Sequence, residues 1–256
     1  MLNLRQLFLT NNECYKIGKK HTVKGIMVHS TGANNPNIGR YVGPDDGYLN
    51  SSGNHWNQLR PSGRQVCVHA FIGKLKNGSI STYQTLPWDM VGWHSGSGAK
   101  GSANFNGFIG FEICEDNLAD KNYFNSVYKE AVELCVYLCK EYNLNPLKDI
   151  ICHSEGYAKG IASNHADVMH WFPKFDKSMD TFRQDVKKEL NKNNIQEEEE
   201  MAEKIYNTLE ECPDYAKPTI KKLVDKKILN GTGKGLNLNE TIIRILVIND
   251  RAGLYK

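Results

Sequence analysis

The chain has no dominant charge, no long apolar run and no closely paired cysteines, and each lack removes a class of protein. Its 32 basic and 29 acidic residues nearly cancel to +3 over 256 residues, a balance that excludes a dedicated nucleic-acid or membrane-surface binder. No stretch approaches the roughly 20 apolar residues that a membrane-spanning helix needs, so no membrane insertion is expected. The opening residues lack the pattern of an export signal, which predicts cytoplasmic synthesis without a signal peptide. Seven cysteines, at 14, 67, 114, 135, 139, 152 and 212, are odd in number and show no CxxC spacing. Reduced thiols are therefore expected rather than a disulfide framework. Hydrophobic residues at 40% and charged residues at 24% suit an ordinary globular chain.

Histidine and tryptophan are absent from the last quarter of the chain: all eight His and all four Trp precede residue 191. The polar run NKNNIQEEEE at 191–200 breaks the hydrophobic patterning and reads as a linker. We therefore divide the chain into a chemistry-bearing domain at 1–190, the linker, and a small C-terminal helical domain at 201–256. In the first part, apolar runs at 25–30, 66–72, 80–85, 108–113 and 150–152 read as strands, with Asn77 and Gly78 supplying a hairpin turn. Phe124, Val127, Tyr128, Ala131, Leu134, Cys135 and Leu138 recur at steps of three and four, the spacing of an amphipathic helix. A final helix is expected over 179–190. The fold class is mixed α/β, a central mixed sheet flanked by helices. In the tail, apolar positions at 220–228 and 242–248 mark a helix pair that buries little core and needs docking or self-association.

Three segments concentrate residues with chemistry. In VKGIMVHSTG, His29 ends an apolar strand and is followed by small polar residues. In IICHSEGYAKGIASNHADVMHWFP, His153 ends a second strand, and a glycine-containing loop brings back His165 and Asp167. A catalytic zinc takes three protein ligands and keeps a fourth position open; His29, His153 and Asp167 are the set we choose, with His170 the available substitute for Asp167. In GFIGFEICE, Glu112 alternates onto the face opposite Ile109, Phe111 and Ile113. A carboxylate there is placed to act as general base toward a metal-activated water. Trp93, in the glycine-rich loop MVGWHSGSG, is a flat aromatic suited to a groove wall or to ordinary packing. His69 reads as a core histidine.

The segments VHSTG, FEIC and HSEG…NHADVMHWFP, spanning about residues 20–185, resemble the type 2 zinc-dependent N-acetylmuramoyl-L-alanine amidases, of the peptidoglycan recognition protein fold and including phage and prophage endolysins. The resemblance implies Zn2+ on His29, His153 and Asp167, Glu112 as catalytic glutamate, and His165 either stabilising an oxyanion or capping its loop. It implies bacterial peptidoglycan as partner and hydrolysis of the amide between N-acetylmuramic acid and L-alanine, hence action on the wall after release. It also implies that Trp93 and His94 line the substrate groove. A non-catalytic peptidoglycan-binding module is the alternative. The long Gly- and Asn-rich stretch at 34–65 is expected to form a lid. The tail loosely resembles one S-layer homology repeat, with wall binding and homodimer formation as rival roles.

Overall fold

The computed structural model describes residues 2–255, those at 194–203 by backbone alone, and divides into two compact units, Met1–Leu190 and Asn191–Lys256. The first unit is built on strands β1 (Leu4–Gln6), β2 (Gly25–Ser30), β3 (Ala70–Lys74), β4 (Ile80–Gln84), β5 (Phe108–Ile113) and β6 (Ile150–Cys152). Their spatial order is β1-β4-β3-β5-β2-β6. Only β3 and β4 run antiparallel, as a hairpin whose turn puts Gly78 at φ 85°, a backbone region that glycine enters without steric cost. The other four pairings are parallel. The sheet is therefore mixed, as the alternation of strands and helices implies.

Parallel neighbours require crossover connections, and here those include helices α1 (Glu13–Ile17), α2 (Lys121–Tyr142) and α3 (Pro146–Asp149), while α4 (His153–Ala158) and α5 (Met179–Glu203) follow the last strand of the sheet. The Asp120 carboxylate accepts the Asn122 and Tyr123 N–H groups at 2.9 and 3.0 Å and starts α2. Asn143, in the left-handed region at φ 52°, ends it. Between these caps the apolar stripe of α2 packs on Ile26, Val28, Ile72, Ile109, Phe111 and Ile113 from one face of the sheet. Phe124 anchors an aromatic cluster there, with ring centroids 5.3 Å from Trp171, 5.7 Å from Phe172 and 4.4 Å from Phe175. Phe124→Ala should cost about 3–5 kcal/mol, the usual range for deleting a buried aromatic; urea unfolding checks this, and a loss under 1 kcal/mol would mean the cluster repacks.

The opposite sheet face carries the alternate residues Met27, His29, Phe71, Gly110 and Glu112. Segment 34–65 covers part of it with a core of its own rather than forming a lid. Ile38, Val42 and Leu49 are fully buried in one cluster with Phe71 and Tyr83, and the Tyr41 ring stacks on Phe71 at 5.0 Å.

Several local expectations change. β3 begins at Ala70, and 66–69 stand outside the ladder, with a bend at His69. The loop expected after His153 starts with α4, and short β1 and α1 were not foreseen at all. Helix α5 continues past Leu190 through 191–200 to Glu203. Glu, Gln and Lys are good helix formers and no Gly or Pro intervenes, so the backbone stays helical where the apolar stripe used to recognise a helix has ended.

The second unit contains α6 (Lys217–Asp225), α7 (Glu240–Arg251) and a small antiparallel ribbon of β7 (Ile205–Tyr206) and β8 (Leu238–Asn239). Tyr206, Cys212, Ala216, Ile220, Leu238, Ile243 and Val247 form its core. The ribbon adds strand structure to the helix pair expected from sequence. Among the described residues, no helix is long and apolar enough to cross a membrane.

Candidate metal and catalytic site

Strands β2, β5 and β6 end side by side, and ligands of open α/β sheets favour this carboxyl end of parallel strands. His29 and Glu112 are register partners on adjacent parallel strands, so both side chains leave the same face. His153 follows β6 directly as the first residue of α4. Its position is braced: Glu155 accepts the Cys152 N–H at 3.1 Å and is gripped by two Arg183 N–H groups, each at 3.0 Å. Glu155 and Arg183 were missed in the sequence, although a Glu three residues after a strand end is the spacing of a capping box.

The loop after α4 returns Asp167 to the two histidines. His29 Nδ1 lies 3.1 Å from Asp167 Oδ2 and 3.1 Å from His153 Nδ1; His153 Nδ1 and Asp167 Oδ2 are 3.6 Å apart. A tetrahedral ion with bonds of 2.0–2.1 Å has ligand–ligand edges of about 3.3 Å, so this triangle fits such an ion. Among the described residues these three are the His, Cys, Asp and Glu side chains close enough to share a metal. Burial, then the neighbouring His29, lowers His153 to about 4. Burial opposes the Asp167 carboxylate, but the His29 hydrogen bond and the adjacent imidazoles hold its pKa below the usual value. Neutral imidazole and ionised carboxylate are the forms that bind metal.

Glu112 projects into the same cavity. Its Oε2 is buried without a hydrogen-bond partner, and burial, then the charges of Asp167 and Glu115, push its pKa well above the carboxylate range. Such a buried group, unsatisfied by protein and facing a cleft, marks a functional position. The cavity holds about 850 Å³ and is walled by Trp56, Arg64, Trp93, Ser163 and His165 around the triad and Glu112.

The remaining sequence candidates separate. His165 is exposed, with its ring 4.6 Å from that of His153. Trp93 stands in the cavity wall, edge-on to Phe105 at 5.7 Å. His94 also lines the cavity, yet its Nδ1 is 2.9 Å from His29 Nε2, so its ring is committed to His29. His170 is 2.9 Å from the Glu115 carboxylate and stands outside the triad, leaving the third corner to Asp167. His69 is fully buried, donates to the Met90 carbonyl at 2.7 Å and accepts the Gly110 N–H at 3.0 Å, a satisfied core histidine. All seven cysteines are free and buried, and burial drives the Cys67 thiol well up.

Two histidines and one carboxylate close enough to share a metal, at the carboxyl end of a mixed sheet and beside an unpartnered glutamate, make this the candidate catalytic site. The chain belongs to the N-acetylmuramoyl-L-alanine amidase family (Amidase_2), whose model matches residues 19–173. It is 37% identical over 118 residues to the N-acetylmuramoyl-L-alanine amidase CwlH of Bacillus subtilis (strain 168). That match covers 43% of this chain and 44% of CwlH, under half the length of either. The fold is similar to that of PlyL, at TM-score 0.50 and 18% identity over 73% of this chain and 96% of that one. The PlyG catalytic domain is likewise similar, at TM-score 0.50 and 18% identity over 74% and 96%.

Proposed function

We propose that this chain is a zinc-dependent N-acetylmuramoyl-L-alanine amidase of the endolysin type, acting on bacterial peptidoglycan after release from the cytoplasm. The observation that carries this reading is the triangle of His29, His153 and Asp167 with the unpartnered Glu112 beside it. A zinc ion held by the three would polarise the scissile carbonyl and acidify a water. Glu112 takes the proton of the attacking water and returns it to the nitrogen leaving as the amine of L-alanine. His165 donates a hydrogen bond to the oxygen that gains charge as the carbonyl becomes tetrahedral. Trp93 offers a flat wall for the glycan or peptide. A pure recognition module has no use for an unpartnered carboxyl at this point, which favours hydrolysis over the non-catalytic alternative.

Digestion of purified peptidoglycan tests the reading. Mass spectrometry should find stem peptides with free L-alanine amines and glycan strands with intact N-acetylmuramic acid, and a chelator should suppress both. Peptides still joined to the sugar would sink it. For the C-terminal unit, the outer side of α7 exposes Ile242, Ile245 and Ile248 by 41, 52 and 64%, which supports a surface for wall attachment or dimerisation. Sedimentation of the full chain with and without Ile245→Asp, beside binding to purified walls, distinguishes the two: a drop in mass marks a dimer, and lost wall binding at constant mass marks an anchor.

A further inference from the structure

Both candidate metal histidines present Nδ1 to the triad, so the hydrogen on each must sit on the far nitrogen, Nε2, and something must hold it there. The loop after Trp93 supplies the partner of His29, and Ser163, after α4, supplies that of His153. His29 Nε2 lies 2.9 Å from His94 Nδ1, and His94 Nε2 lies 3.3 Å from the Phe108 carbonyl. A backbone carbonyl only accepts, so the hydrogen of His94 belongs on Nε2; its Nδ1 is then a bare acceptor and takes the hydrogen of His29 Nε2. On the other side, His153 Nε2 lies 3.3 Å from Ser163 Oγ, and that hydroxyl donates to the Ser95 carbonyl at 3.2 Å. Ser163 Oγ is thereby left as acceptor for His153 Nε2–H. Each chain ends on a carbonyl, and each favours a lone pair on Nδ1 toward the point shared with Asp167.

The frame that carries these two relays is itself clamped. Asn104 is fully buried, and its Oδ1 accepts the N–H groups of His94 and Ser95, both at 2.9 Å, and the Ser95 hydroxyl at 3.0 Å. Its amide donates to the Gly96 carbonyl at 3.3 Å. Two glycines make room for the relay side chains. A Cβ at Gly110 would lie 2.4 Å from the His94 ring, and one at Gly96 would lie 2.7 Å from Ser163 Oγ.

We infer that residues 94–96, clamped by Asn104 and completed by Ser163, form the orienting frame of the metal centre, fixing the tautomer and ring direction of both His29 and His153. His94 is thus a positioning residue rather than a wall of the substrate groove. The inference rests on the zinc reading; in the metal-free protein the Asp167 carboxylate, 3.1 Å from His29 Nδ1, competes for the same hydrogen, and the relay through His94 is what draws it to Nε2. Partners of this kind are worth about 10–100-fold in metal affinity.

The test compares wild type with His94→Leu, His94→Asn and Ser163→Ala by two measurements: zinc affinity from competition with a chelator, and imidazole 15N shifts of the metal-free protein. His94→Leu removes the acceptor and should weaken zinc about 10–100-fold while His29 populates both tautomers. His94→Asn restores an acceptor oxygen near the former Nδ1 and should recover most of the affinity. Ser163→Ala should release the His153 tautomer and weaken zinc by about tenfold. KM for wall fragments should stay at its wild-type value in all three. Wild-type zinc affinity and unchanged 15N shifts in His94→Leu, with a raised KM, would overturn the frame and return His94 to the groove. A wild type that binds no zinc would instead defeat the zinc reading, and the metal-free 15N shifts would still decide whether the frame sets the tautomers.

Discussion

Glu112→Gln should lower turnover by about 10²- to 10⁴-fold, the range for removing a general base, while zinc content stays at the wild-type level. The amide is nearly the same size as the carboxyl, so the cavity wall keeps its shape; what disappears is a group able to take and return a proton. The position favours a large effect. Glu112 Oε2 has no protein partner, so the substitution breaks no structural hydrogen bond at that atom, and the register with His29 is a backbone property that side-chain exchange leaves intact. Stability should even rise slightly, because a buried acid whose pKa is driven up by its surroundings costs free energy whenever it ionises. Steady-state rates on purified peptidoglycan, with metal analysis of the same sample, check both halves. Turnover within threefold of wild type would remove Glu112 from the chemistry, and lost zinc would mean that it acts on the metal centre instead.

What could be read without coordinates was whatever depends on neighbours in sequence. His29 and His153 each close an apolar run, and Glu112 alternates onto the strand face opposite Ile109, Phe111 and Ile113, so three of the four central side chains announce themselves locally. Asp167 was chosen over His170 in the same loop, and the structure sets His170 against Glu115, 55 positions earlier in the chain. That pairing is a tertiary event with no local signature. The same holds for the His29 to Glu112 register, for Asn104 beneath the loop, and for Ser163 behind His153. His94 shows the limit most clearly: the resemblance set it at the groove, and it does line the cavity, but its contact with His29, for which the missing Cβ at Gly110 makes room, has no local signature. Segment 34–65 misled for a related reason. Its Gly and Asn content suggested a cover over the cleft, yet the few apolar residues scattered through it, Ile38, Val42 and Leu49, are enough to fix it onto Phe71.

Asp167→Ala carries the second large effect and decides which residue owns the third corner. Apparent zinc binding of about 10–16 kcal/mol across four protein ligands assigns roughly 2.5–4 kcal/mol to each, and each 1.4 kcal/mol is tenfold. Losing the one anionic donor should therefore weaken zinc by about 60- to 700-fold and leave two neutral imidazoles, too little to retain the ion through dialysis. Activity should fall with it, below the level of Glu112→Gln, because both carbonyl polarisation and water activation depend on the ion. The fold should survive: Asp167 lies outside the packed cluster that seats Val168, Trp171 and Phe172, so the unfolding midpoint of metal-free protein should move little. His170→Ala is the matched control, since its ring is bonded to Glu115 and stands outside the triangle. It should keep one zinc per chain. Elemental analysis after dialysis reads both variants together, and zinc kept by Asp167→Ala but lost from His170→Ala would exchange their roles.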